Sequence, residues 1–188
     1  MRIVKRAFHE VRFNAINISP DRSVLLLANH FSWWDGFLMY YINQILLKKR
    51  FHVMVIEQTV QKIGFFKYMG AFSVSKGSRD IIDSLNYAAD LLKDPDNLVL
   101  IFPQGKLFSN FIDEVKFEKG LKRITEQSKN DYQLIMAATF IENFKHKKPT
   151  ASVYLKAVEE KMNDLPAIKQ GYQQHYNSSK LRQTEIVI

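Results

Sequence analysis

Cysteine is absent from the chain, which excludes disulfide bonds, thiolate catalysis and cysteine-ligated metal sites, and is compatible with a reducing compartment. Long apolar runs are missing too. No segment approaches the length of about 20 residues that spans a bilayer, and Met1 to Phe8 lack the apolar core of a signal peptide. The nearest candidate, Phe37 to Leu47, is too short and polar in its middle, and it reads as a core helix. Glycine and proline are sparse, 7 and 5 among 188 residues. No linker therefore marks a boundary, and a single domain over residues 1–188 is expected. Repeats and low-complexity tracts are absent. Charge is unbalanced: 27 Lys and Arg face 19 Asp and Glu, a formal net charge of +8. That sign favours anionic partners, such as a phospholipid surface, coenzyme A, an acidic carrier protein or nucleic acid. The basic runs Lys48-Lys49-Arg50 and Lys145-His146-Lys147-Lys148 read as solvated loops.

What is present alternates. Strands are expected at about Val11 to Ile18, Val24 to Ala28, Phe51 to Ile56, Ala71 to Val74, Leu98 to Phe102, Gln133 to Phe140 and Ser152 to Val158. Helices fill the gaps. The clearest runs from Arg79 to Lys93, with Ile81, Leu85, Ala88 and Leu92 on one face. This pattern predicts an α/β fold with a mostly parallel or mixed sheet covered by helices. The first residues allow two readings: a basic interfacial helix carrying Val4, Phe8, Val11 and Ala15, or a short helix followed by a strand from Val11. Near the other end, Leu165, Ile168, Tyr172 and Tyr176 form an apolar stripe on a last helix, with a loose polar tail expected beyond Asn177.

The most informative segment is Asn29-His30-Phe31-Ser32-Trp33-Trp34-Asp35, placed where the apolar run Val24 to Ala28 ends and the helix-period stretch begins. Such strand-to-helix connections line the ligand crevice of open α/β sheets. A carboxylate bonded to one imidazole nitrogen fixes the tautomer and stabilises the cation formed when the other nitrogen takes a proton, so His30 and Asp35 could deprotonate a hydroxyl. The competing reading makes Asp35 a helix cap and His30 a turn residue. A second loop, Phe102-Pro103-Gln104-Gly105, also follows a strand and should open on the same sheet edge. It suits an oxyanion or phosphate contact, or is an ordinary Pro-Gly turn. Trp33 and Trp34, the chain's two tryptophans, suit an acyl-tunnel wall, a membrane interface or plain core packing.

These residues resemble the glycerolipid acyltransferases, which include the lysophosphatidic acid acyltransferases. Their first block reads Asn-His-x-Ser-x-x-Asp, and Asn29, His30, Ser32 and Asp35 match every fixed position. Ile101-Phe102-Pro103-Gln104-Gly105 stands where that family has Phe-Pro-Glu-Gly-Thr-Arg-Ser. Between them, Gly64-Phe65-Phe66 and Gly70-Ala71-Phe72-Ser73-Val74 look like the block ending in Gly-x-x-Phe-x-x-Arg. The likeness runs from roughly residue 20 to residue 140, and blocks that keep order and spacing are more specific than one alone. The departures are Gln104 for glutamate, Lys106 and Leu107 for threonine and arginine, Lys76 near the expected arginine, and Ala137 where proline is frequent.

The resemblance implies a glycerolipid acyltransferase-like fold and an O-acyltransferase in membrane lipid biosynthesis, with His30 and Asp35 catalytic. Asn29, Ser32, Lys76, Arg79, Phe102, Pro103, Gln104, Gly105 and Lys106 are the expected substrate contacts, and backbone N–H groups near Gly105 are expected to hold the oxyanion. The donor would be acyl-CoA or acyl carrier protein, acting as substrate, with no metal and no bound cofactor. The default acceptor is a 1-acylglycerol-3-phosphate. The lost arginines leave room for an acyl-amino-acid lipid, because lysine offers a point charge where arginine offers a fork. The expected location is cytoplasmic, peripheral on the inner face of the membrane and against its anionic surface. A non-catalytic lipid-binding protein would use the same charge and aromatics. Nucleic acid is not expected, since no recognition motif accompanies the charge, and the remaining histidines show no metal-ligand spacing.

Overall fold

The computed structural model describes residues 2–56, 70–74, 78–128, 132–159, 162 and 164–187. A seven-stranded sheet runs through its middle. In chain order the elements are α1 (Arg2–Ala7), β1 (Glu10–Phe13), β2 (Ser23–Ala28), α2 (Asp35–Ile42) continued by a π-helical turn (Asn43–Leu47), β3 (Arg50–Ile56), β4 (Ala71–Val74), α3 (Ser78–Leu91), β5 (Asn97–Ile101), α4 (Gly120–Gln127), β6 (Tyr132–Glu142), β7 (Thr150–Val158) and α5 (Leu165–Thr184). The strand order is β1-β7-β6-β2-β5-β3-β4. All neighbours are parallel except β6 and β7. This is the mixed, mostly parallel α/β sheet the alternation predicts.

Every residue of β2 and β5 is buried, which explains why both read as continuous apolar runs: strands covered on two faces have no solvent side to alternate toward. Val24, Leu26, Ala28, Leu98 and Leu100 face the layer that contains Phe37, Leu38, Met39 and Ile42 of α2. Leu25, Leu27, Val99 and Ile101 face the layer formed by Leu85 and Ala88 of α3, Ile124 of α4, and Ile168, Tyr172 and Tyr176 of α5. Burying each such large side chain is worth about 1.5–3 kcal/mol, so the central strands are held from both sides. They form a firm base for the loops at their carboxyl ends.

Two expected element limits and one expected helix face change. The first strand is Glu10–Phe13 and not Val11 to Ile18. It stops because the Asn14 side chain replaces the ladder: its Nδ2 donates to Leu155 O at 2.9 Å, and Leu155 N donates to its Oδ1 at 2.8 Å. Of the two readings for the first residues, the short helix followed by a strand holds. The polar tail beyond Asn177 is helical through Thr184, with Ser179 and Gln183 buried and Gln183 accepting from the Tyr154 hydroxyl at 3.0 Å. On α3, Ile81 is exposed, and the buried face consists of Leu85, Ala88 and Ala89, continued by Leu92.

Strand direction decides which loops share an edge. β5 and β6 run parallel to β2, so the loops after Ala28, Ile101 and Glu142 leave the same side of the sheet. β7 is antiparallel to β6, and β1 is parallel to β7. The start of β1, and α1 before it, therefore lie on that side too. His9 N donates to Pro149 O at 2.8 Å there, and the rings of Phe8 and Trp34 meet edge-on at 5.3 Å.

Candidate active site

β2 ends at Ala28, paired with Ala137, and the next residue repeats the device seen at β1. Asn29 Nδ2 donates to Thr139 O at 2.9 Å, and Thr139 N donates to Asn29 Oδ1 at 2.8 Å. The Asn29 amide thus extends the β2–β6 pairing by one step and fixes where the following loop leaves the sheet. Tyr172 of α5 reaches the same strand end, its buried hydroxyl donating to Ala137 O at 2.7 Å. Burial raises the Tyr172 hydroxyl well above its ordinary range, so it stays protonated. Spacing gave no sign of this contact, because the hydroxyl comes from a helix 35 residues after its partner.

The loop closes on one carboxylate oxygen. Asp35 Oδ2 accepts from Phe31 N at 2.8 Å and from Ser32 N at 2.9 Å, and lies 2.8 Å from His30 Nδ1. An oxygen that already accepts two backbone N–H groups is an acceptor for the ring as well, so Nδ1 carries the hydrogen and Nε2 is the basic nitrogen. The His30 side chain is 27% exposed and that of Asp35 only 1%. Burial raises the Asp35 carboxyl above its ordinary value, while the His30 hydrogen bond and the Ser32 and Phe31 N–H groups pull it down. Its side chain turns back toward these preceding residues. The helix N-cap position is Trp34, which makes no side-chain cap bond.

Other parts of the site belong to the loop after β5. The Phe102 ring stacks on the His30 ring, centroids 4.2 Å apart and 18° from parallel. Gln104 Oε1 accepts from His30 N at 2.7 Å, and Phe108 N donates to His30 O at 2.9 Å. Pro103 is buried and its carbonyl accepts from Glu118 N at 2.7 Å. Gly105 has φ +65°, a conformation that favours glycine, and a Cβ there would lie 3.0 Å from Glu118 Cγ, so that side chain would have to shift. Its own N–H donates to Phe102 O at 3.1 Å and is therefore committed within the loop. Lys106 is exposed, its ammonium 5.3 Å from the centre of the Phe108 ring.

The two tryptophans divide the roles open to them. Trp34 packs against Phe8 and Phe37, whereas Trp33 is 49% exposed. Ser32 accepts from Trp34 N through its hydroxyl at 3.1 Å, a contact within the loop. Lys76 and the Gly64-Phe65-Phe66 stretch fall outside the described residues, as does the side chain of Arg79. Among the described residues there is no cluster of His, Asp and Glu that could hold a metal ion.

The arrangement can remove a proton from a hydroxyl at a solvent-facing imidazole backed by a buried carboxylate, on a strand-end crevice. A comparison with curated proteins finds no match to the chain. A comparison with protein families matches residues 10–141 to the family described as Acyltransferase, a span that includes β1 through most of β6 and both loops of the site. That span is more than half of the chain, and the protein belongs to the acyltransferase family.

Proposed function

We propose that this acyltransferase moves a fatty acyl group from acyl-CoA or acyl carrier protein to a hydroxyl of a lysophospholipid-like acceptor, with 1-acylglycerol-3-phosphate as the default, in membrane lipid synthesis. Family membership favours a transferase over a non-catalytic lipid-binding module. The observation that carries the mechanism is the 2.8 Å contact between His30 Nδ1 and a buried Asp35 carboxylate. His30 Nε2 takes the hydroxyl proton as that oxygen attacks the thioester carbonyl. Asp35 balances the charge on the imidazolium, which then gives the proton to the departing thiol. Gly105 N–H is already bonded within its loop, so the oxyanion is held by another donor.

Incubating the purified protein with labelled acyl-CoA or acyl carrier protein and a panel of lysolipids and acyl-amino acids, read by mass spectrometry, tests donor and acceptor together. Acyl transfer to 1-acylglycerol-3-phosphate is expected. Transfer only to acceptors without phosphate would replace the default. Two observations favour that second reading: Leu107, standing where the family has arginine, is 56% exposed, and Gln104 is turned inward.

The surface around the site supports docking on an anionic bilayer. Trp33, Leu107 and Phe111, 49%, 56% and 83% exposed, surround a strand edge that also carries exposed Arg2, Lys5, Arg6, Lys106, Lys145, Lys147 and Lys148. Among the described residues no helix is long and apolar enough to cross a membrane. Vesicles containing anionic lipid should bind the protein and release it as salt rises, since exposed charges are screened within about 10 Å at 0.1 M. Release by detergent alone would refute this docking mode.

A further inference from the structure

Gln104 stands where the resemblance expects an acceptor-holding glutamate, yet it is 2% exposed and its carboxamide is spent on the protein itself. Because His30 N is a donor, the carboxamide must present its oxygen there, which leaves Nε2 buried and without a partner among the described residues. The same loop touches His30 at two further points: Phe102 stacks on the ring and Phe108 N binds the carbonyl. With Asp35 on Nδ1, the histidine is held at four places, three of them supplied by the loop after β5.

We propose that Gln104 is a positioning residue for His30, acting through the His30 backbone N–H, and that its neutral amide keeps the site at one carboxylate per imidazole. The proposal rests on the reading of His30 as the base. Among the described residues, Asp35 from its own loop and Phe102 from the loop after β5 meet the ring, and Gln104 meets the backbone N–H of the same residue. Lys106 lies further along that loop, exposed and against Phe108, and the Tyr172 hydroxyl of α5 couples electrostatically to Asp35. A glutamate at 104 would keep the oxygen that His30 N needs while adding a second negative charge beside the histidine. A leucine would keep the volume and remove the oxygen.

The experiment compares Gln104→Leu and Gln104→Glu with the wild type in kcat and KM across pH, and follows the His30 amide and ring signals by NMR. Misplacement of a reacting group by a fraction of an ångström to an ångström costs up to about 10²-fold. Gln104→Leu should therefore lose about 10- to 100-fold in kcat with the acceptor KM nearly unchanged. Gln104→Glu should restore most of kcat at alkaline pH. Its acid limb, and the His30 ring titration, should move upward by about half a pH unit or more, since a nearby negative charge favours the imidazolium. Full kcat in Gln104→Leu, or a raised acceptor KM with kcat intact, would overturn the proposal and return Gln104 to the acceptor. The ring titration reads the coupling even if the wild type transfers no acyl group to the acceptors tried, so failure of the proposed reaction is distinguishable. Should Gln104→Leu not fold, the wild-type His30 amide decides: slow hydrogen exchange is expected of a bonded N–H, and exchange at the rate of an open loop would refute the clamp.

Discussion

His30 and His175 each present one ring nitrogen to an oxygen of the protein, at 2.8 Å and 2.9 Å, in settings that otherwise have little in common. His30 stands on a loop at the carboxyl edge of the sheet, 27% exposed, against a carboxylate. His175 lies in the seam between α5 and β7, 8% exposed, with Nε2 donating to the carbonyl of Tyr154. A carboxylate adds a charge that rewards the proton the ring takes up; the Tyr154 carbonyl accepts an N–H from either form of the ring and only partly opposes the burial that lowers the pKa of His175. The two side chains show that a histidine becomes a base through the charge of its partner and the openness of its other nitrogen. The residue type alone decides neither.

The sharpest break of that comparison is truncation of each ring. His30→Ala should cost roughly 10²- to 10⁴-fold in turnover, the usual worth of positioned proton transfer, with circular dichroism and thermal melting close to wild type. His175→Ala should leave turnover per folded molecule unchanged and lower the melting temperature instead. Near-normal acyl transfer by a well-folded His30→Ala protein would end the proposed mechanism.

Asp35→Asn comes next, because it changes the partner and leaves the ring in place. Because one oxygen takes all three contacts, an amide either keeps its oxygen there or gives up Phe31 N and Ser32 N to turn its own N–H to Nδ1, which would put the hydrogen on Nε2; in both cases it cannot balance an imidazolium. A loss of about 10³-fold in kcat is expected, together with about 1 kcal/mol of stability if the amide holds Phe31 N and Ser32 N less well than the carboxylate does. Full activity in a folded Asp35→Asn protein would reduce Asp35 to an organiser of its loop.

The sheet was legible because β2 and β5 are continuous apolar runs bounded by polar turns, and the His30 to Asp35 interval was legible because its spacing is local. What the loops do to one another was not. Gln104 meets His30 across 74 residues and Tyr172 meets Ala137 across 35; such contacts follow from strand order, which periodicity does not encode. The same holds for Asn14 and Asn29. Each looks like an ordinary turn residue, and only the pairing of β1 with β7 and of β2 with β6 reveals that their amides extend a ladder. The tail of α5 was misjudged for a related reason: Ser179 and Gln183 are polar yet buried, and Gln183 bonds to Tyr154 of β7 and to Glu142 of β6, partners that periodicity does not supply.

The smallest expected effect concerns stability against pH, where the two sites should pull in opposite directions. His175 has a folded pKa below its ordinary 6.5 because burial disfavours the cation, with Lys156 and Arg182 adding to it and the Tyr154 carbonyl opposing. Between the folded and ordinary values the unfolded chain binds more protons, so the stability His175 contributes is complete above about pH 6.5 and is lost as pH falls below it. Asp35 has the reverse sign. Its folded pKa is raised by burial above 3.8, so the folded state holds the proton more tightly and gains stability as pH falls through that raised value. His52, also lowered by burial, acts with His175, and for that reason the wild-type curve alone cannot assign the slope. The difference between variants can. Melting temperatures measured from pH 8 to pH 5 should fall by a few degrees on acidification in the wild type, a protein of this size shifting about 2–4 °C per kcal/mol. The fall should be shallower in His175→Gln, which keeps an N–H donor for Tyr154 O but does not titrate. Asp35→Asn removes a group that takes up a proton in the folded state as pH falls through its raised pKa, so over that interval its curve should fall more steeply than the wild type's. Parallel curves for His175→Gln and the wild type would show that the seam histidine does not sense pH, and that the contrast with His30 lies in exposure alone.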